Sequence, residues 1–232
     1  MSKTVVIHQP DFVPHLGFFD RFTKADLYVV LDHVQFVNGS SRAWTHRDKV
    51  KTPQGEKWLT ISTKKAPRDT PINRIELSTS VDWRRKNIQL LESIYNEAEY
   101  FSEIMPEVKK LYLTECNSLS EFNIKSIEML MDMLDVRVPF VLSSEMQLVS
   151  SKNELLISIL EEVNASHYLS GTGARGYMDV AKFKDAGIEV IWQEFTHPVY
   201  PQLFGNFIPQ LSSLDLLFNC GINKSREILK GN

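Results

Sequence analysis

The opening of the chain restricts its fold more than any other stretch. Val5-Val6-Ile7 is a short apolar run, Pro10 and Pro14 bracket a loop, and Leu16 to Lys24 puts Phe18, Phe19 and Phe22 on one helical face. Asp26 to Asp32 is a second apolar run that closes on a carboxylate. Each proline restricts the residue before it and lacks an amide donor, so neither run continues through the loop. Pro14 stands just ahead of the helix, where a missing donor is harmless. Two buried strands joined by a loop and a helix within about thirty residues make a βαβ unit, and such units build parallel sheets.

Downstream, Val34 to Lys51 reads as polar and irregular, Thr52 to Gly55 as a turn, and Lys57 to Ser62 as a strand by its alternation. Ile72 to Leu77 is a further strand candidate. Trp83 to Glu97, Phe101 to Thr114 and Leu119 to Leu134 carry apolar residues at threes and fours, the helical period. The α/β alternation then resumes with strands at Phe140 to Leu142, His167 to Ser170 and Glu189 to Trp192, and helices at Asn153 to Val163 and Met178 to Ala186. Gly187 stops the last of these. The tail is loop-rich until Ser213 to Phe218. The expected fold class is α/β: a Rossmann-like (nucleotidyltransferase-like) parallel sheet with a helical insertion at about 83–134, in a single α/β domain over 1–232.

Composition excludes several function classes. A net charge of −3 and a pI near 6.1 give no global attraction to nucleic acid, so DNA is not an expected partner. Cys116 and Cys220 lie about a hundred residues apart and no CxxC occurs, so two reduced thiols are expected and no metal site. The first apolar run is too short for a signal peptide, and no run is long enough to span a bilayer, which together predict a cytoplasmic location.

Ligands of open α/β sheets sit beyond the carboxyl ends of the strands. That rule selects His8 and Gln9 after the first strand, and Asp32 and Gln35 after the second. Gly17 lies in the first turn of the helix that follows, where a ligand could approach the backbone and where helix amides favour an anion. Arg42, Arg47, Lys49 and Lys51 form a local basic cluster around Trp44, suited to phosphates with a ring to stack on. A second strand-to-helix loop, Ser170-Gly-Thr-Gly-Ala-Arg-Gly-Tyr177, could cradle an anion through its amides, but it is neither a Walker loop nor a dinucleotide fingerprint. A third group, His197 to Gln202 with Ser212 to Asp215, reads chiefly as a hydrogen-bonded structural tail.

Two resemblances follow from these residues. The stretch from His15 to Phe18 resembles the HxGH turn of nucleotidyltransferases and of pantothenate synthetase, except that Phe18 stands where the second histidine would be. More extensively, Val6-Ile-His-Gln-Pro10, Pro14-His-Leu-Gly-Phe-Phe19, Leu31-Asp-His-Val-Gln-Phe36, Trp58-Leu59, Tyr168-Leu-Ser-Gly171 and Tyr200-Pro-Gln202 resemble the WbqC-like family. The family usually has Trp where His15 stands, so His15 is not a family catalytic residue, and more often Pro-Ala-Ala where Thr172 to Ala174 stand, which lowers the weight on Thr172 and Arg175.

The resemblance implies a bacterial protein of surface-polysaccharide (O-antigen) biosynthesis. The activity expected from it is an N-acyl or aminoacyl transferase, or an ATP-dependent amide ligase, acting on a nucleotide-linked amino sugar with an acyl or aminoacyl donor. ATP is a candidate cofactor. The alternative is a non-catalytic module that binds a sugar nucleotide or glycan. His8 and Asp32 are the candidate acid–base groups. Gln9, Gly17, Gln35, Trp44, Arg47, Lys49, Lys51, Ser170, Gly171, Tyr177 and Gln202 are the candidate substrate contacts.

Overall fold

The computed structural model describes residues 2–39, 43–148 and 151–231. Its centre is a five-stranded sheet made of β1 (Thr4–His8), β2 (Leu27–Val30), β5 (Phe140–Leu142), β6 (His167–Ser170) and β7 (Glu189–Trp192). The strand order is β5-β2-β1-β6-β7, and every pair is parallel. This is an α/β fold whose order, 3-2-1-4-5 counted along the parallel strands, is that of the first five strands of a Rossmann sheet. The chain leaves β1 for β2 on one side and returns, much later, to lay β6 on the other. The order therefore reverses between β1 and β6.

Side chains alternate across the sheet, so successive residues of one strand serve different cores. Val5, Ile7, Leu27 and Val29 belong to a smaller core with α5 (Lys152–Glu162) and α6 (Val180–Asp185). Val6, Tyr28 and Val30 belong to a larger one with α1 (Leu16–Phe22) and the helices α2 (Trp83–Tyr95), α3 (Phe101–Leu113), α4 (Leu119–Leu134) and α7 (Ser213–Lys230). Helices thus cover both faces, as a parallel sheet requires. The helical insertion shares its apolar core with the sheet face on which His8 lies.

Several expectations change. Arg47–Thr52 is not irregular but a strand, β3, paired antiparallel with β4 (Gly55–Thr60). Its charged sequence hides the alternation because one face carries Arg47, Lys49 and Lys51 while the other buries Asp48 and Val50. Gly55 turns the hairpin at φ +104, a conformation L side chains rarely adopt. Ile72 to Leu77 forms a short 3-10 turn at Ile72–Arg74 and isolated bridges rather than a strand. The last helix does not stop at Phe218 but continues to Lys230 across a kink at Gly221, whose φ is +71. A Cβ there would stand 2.4 Å from the Tyr100 ring.

Candidate active site at the sheet's reversal point

The loop leaving β1 is held from several sides. Asn123 of α4 donates to the Pro10 carbonyl at 2.7 Å and to the Thr45 carbonyl at 2.5 Å. The Ser212 and Ser213 hydroxyls donate to the Val13 and Pro14 carbonyls. Val13 itself sits at φ +37, a strained conformation for a β-branched residue. Strain of this kind persists only where surrounding contacts over-determine it, and it concentrates at functional sites.

The clamped loop presents His8, Gln9 and Asp11. His8 Nδ1 lies 2.9 Å from the Gln9 carbonyl, which can only accept, so the ring proton sits on Nδ1 and the lone pair on Nε2. The same nitrogen is 3.5 Å from an Asp11 carboxyl oxygen. Burial, then the nearby Arg21 charge, lowers the His8 pKa to about 3. Even so, 33% of its side chain remains open to solvent. Asp11 is 8% exposed, and burial raises its pKa to about 7, against the opposing pull of Arg21 and of a hydrogen bond from Thr45. The pair is therefore no ion pair near neutrality: a neutral imidazole faces a carboxyl group that gains and loses its proton there. Thr45 Oγ1 lies 3.2 Å from Gln9 Oε1 and 3.4 Å from Asp11 Oδ1, joining the β1 loop to the segment before β3.

Arg21 of α1 is the other charge in this region. It is 5% exposed, its Nε is buried without a partner, and its guanidinium lies 5.5 Å from the Phe18 ring centre. Burial lowers its pKa. Its neighbour Asp20 does not pair with it: that carboxylate takes Lys24 Nζ at 2.7 Å and Gln193 Nε2 at 2.7 Å. Asp48, also buried, has its pKa raised well above the ordinary aspartate value by desolvation.

The structure separates the candidates read from the sequence. Gly171, at the end of β6, lies beside Arg21, and Ser170 is buried next to it. They stand at the carboxyl end of β6 as His8 and Gln9 stand at that of its paired neighbour β1. Asp32 is at the carboxyl end of β2, but its carboxylate accepts from the Ser143 hydroxyl at 3.1 Å and from the Ser144 amide and hydroxyl at 2.9 and 2.7 Å. It caps the turn after β5. Gln35 donates to the Arg68 carbonyl and lines a separate cleft of about 570 Å³ with Phe36, Lys64, Lys65 and Arg68.

Gly17 allows close packing of another kind. A Cβ there would meet His15 at 2.8 Å and the Phe195 ring at 2.9 Å, and its amide is taken by His15 Nδ1. The basic cluster also divides. The Arg47 guanidinium stacks 4.1 Å from the Trp58 ring centre, Lys49 reaches both Trp58 and Trp44 and pairs with Glu56, and the two indoles lie 5.4 Å apart. Lys51 instead is buried and donates to the Gly205 and Asn206 carbonyls. Gln202 spends both ends of its amide on Ile208. Tyr177 is 70% exposed. Arg42 lies outside the described residues.

Sequence reasoning missed Asp11, Arg21, Thr45 and Asn123. One signal was available for Arg21: Phe18-Phe-Asp-Arg-Phe22 embeds two charges among three aromatics, a cost that needs a purpose. Among the described residues, no group of three or more His, Cys, Asp or Glu is arranged to hold a metal ion, and no helix is long and apolar enough to cross a membrane.

Comparison with known proteins follows the same boundaries. A profile of the WbqC-like protein family matches residues 9–227, and the chain belongs to that family. A Mycobacterium tuberculosis protein described as Uncharacterized protein Rv1507c is 32% identical over 221 residues, covering 94% of each chain. No solved structure matches.

Proposed function

We propose that this member of the WbqC-like family acts in the bacterial cytoplasm in surface-polysaccharide biosynthesis, where it acylates the amino group of a nucleotide-linked amino sugar. The observation that carries the reading is the His8–Asp11 contact at the carboxyl edge of the sheet, with a carboxyl group poised near neutrality. In the reaction the sugar nitrogen bonds to the acyl carbon, and the leaving group departs from that carbon with its electron pair. The ammonium proton passes to the Asp11 carboxylate. His8 contributes the Nε2 lone pair as a hydrogen-bond acceptor for the amine. Asp32 serves as a positioning residue, since its carboxylate holds the turn after β5. The Arg47–Trp58 stack and Lys49 supply a cationic aromatic platform for the nucleotide part.

The donor is either a preformed acyl or aminoacyl carrier or a free acid activated by ATP. The assay separates the two. Purified protein is incubated with a uridine-diphosphate-linked amino sugar, together with acyl or aminoacyl thioesters, or with free acids and ATP. A mass gain equal to the acid minus water is expected in one arm. Absence of any mass gain and of any ATP consumption rejects the enzymatic reading.

A second reading is a sugar-nucleotide or glycan-binding module without chemistry. It is favoured by Phe18, which fills the position of the second histidine of an HxGH turn and is itself 1% exposed in the core. Stabilisation by the sugar nucleotide in a thermal melt, with the ligand recovered unchanged, is its signature.

A further inference from the structure

We infer that the crevice between β1 and β6 is a receptor for a single carboxylate group, held by the Arg21 guanidinium. The inference rests on the crevice proposed above as the reaction site and adds the chemical class of what enters it.

Four observations converge. Arg21 is 5% exposed, yet among the described residues it forms no ion pair, and its Nε has no hydrogen-bond partner. Carboxylates near enough to compensate it are otherwise engaged: Asp20 takes Lys24 and Gln193, and Asp11 is held towards its neutral form. The guanidinium reaches the end of β6: its Nη1 lies 3.7 Å from the place where a Cβ on Gly171 would stand, and no other neighbour comes within 4 Å of that place. Finally, Gly171 occupies the end of β6, at the point where strand order reverses and ligands of such sheets gather.

Charge and shape select the ligand. A buried cation without a partner is costly, and proteins otherwise pair it or neutralise it. With His8 and His15 both held neutral by burial, the local excess is a single positive charge whenever Asp11 is protonated. A planar monoanion matches both that charge and the guanidinium fork, which bonds a carboxylate bidentately. An acid, amino acid or acyl donor with a free carboxylate fits. A phosphate monoester brings nearly twice the charge.

The test reads Arg21 directly. In 15N-labelled protein the Arg21 Nε–H signal, assigned by its loss in Arg21→Lys, is followed while acetate, glycine or inorganic phosphate is added, with sodium chloride as the ionic-strength control. Acetate or glycine is expected to shift it saturably at millimolar concentration, and chloride is not. Gly171→Ala is the second variant. Its backbone, φ −69 and ψ 147, accepts any residue, and the new methyl makes only ordinary contact with Arg21. It leaves the fold intact but occupies the space above the guanidinium, and should weaken acetate binding at least about tenfold.

No saturable shift with any of the three anions overturns the inference, and so does a response to phosphate alone. The acylation assay keeps the two proposals apart. Carboxylate binding without any acyl product removes the proposed reaction and leaves the receptor standing. Product formation with an unchanged KM for the acid in both Arg21→Lys and Gly171→Ala removes the receptor and leaves the reaction.

Discussion

Two buried polar clusters lie on the same side of the sheet and differ in one respect. Around Asp215, the Tyr95 hydroxyl donates to one carboxyl oxygen at 2.8 Å and the Tyr200 hydroxyl to the other at 3.0 Å. Tyr95 also stacks on Phe218 at 4.4 Å. Around Asp11 the contacts are longer, 3.4 Å from Thr45 and 3.5 Å from His8, and Arg21 stands near without pairing. Both aspartates are buried. The first cluster is satisfied, and it ties α2 to α7 and to the tail before it. The second leaves hydrogen-bonding capacity unused, an arrangement that costs stability and is kept where a ligand completes it.

Substitutions in the two clusters should therefore fail in different ways. The largest effect is expected from Asp11→Asn, which removes the proton acceptor: acyl transfer should fall by about 10²–10⁴ while the urea midpoint at pH 5 hardly moves. In the wild type, activity should be lost as pH falls below about 7, because the ionised carboxyl is the active form. A pH–rate profile of the wild type lacking that limb would assign the acceptor elsewhere.

The same variant sharpens the comparison thermodynamically. A folded-state pKa raised from 3.8 to about 7 means that stability is fully present below the unfolded value and is lost as pH rises through the folded one. Wild-type stability should thus fall by up to ~4 kcal/mol between pH 4 and pH 8 from this group. Asp11→Asn should flatten that part of the curve. Equal slopes in the two proteins, from urea melts at each pH, would show that Asp11 ionises normally.

Tyr95→Phe and Tyr200→Phe probe the satisfied cluster. Each leaves a buried carboxyl oxygen without its donor and should cost about 1–3 kcal/mol of stability. Turnover per folded molecule should be unchanged, as measured on samples corrected for folded fraction. A loss of turnover at constant stability would erase the distinction between the clusters. The smallest effect is expected from Trp58→Ala, which removes the surface under Arg47 and Lys49. Affinity for the sugar nucleotide should drop by about 1 kcal/mol, seen by calorimetry, with little change for the free acid.

Part of this was legible in the chain. The five parallel strands and the first four long helices follow from apolar runs and period, because burial imposes those patterns directly on sequence. β3 escaped because its buried positions alternate with charges that are held by Trp58 and Glu56 across the hairpin. His8, Gln9 and Gly171 were reached by the strand-end rule. Asp32 was reached by the same rule, and the strand-end rule could not foresee that Ser143 and Ser144, over a hundred residues later, would take its carboxylate.

What the sequence by itself determined is the α/β class, the placement of histidine and glycine at strand ends, and the likeness to one family. These are local properties, written in period and punctuation. Tertiary structure alone decided which carboxylate is spoken for and which is left poised, and that an arginine hidden among aromatics lies beneath the end of a strand about 150 residues away. Partnering of buried charge depends on distances between segments remote in the chain, and no local pattern records those distances.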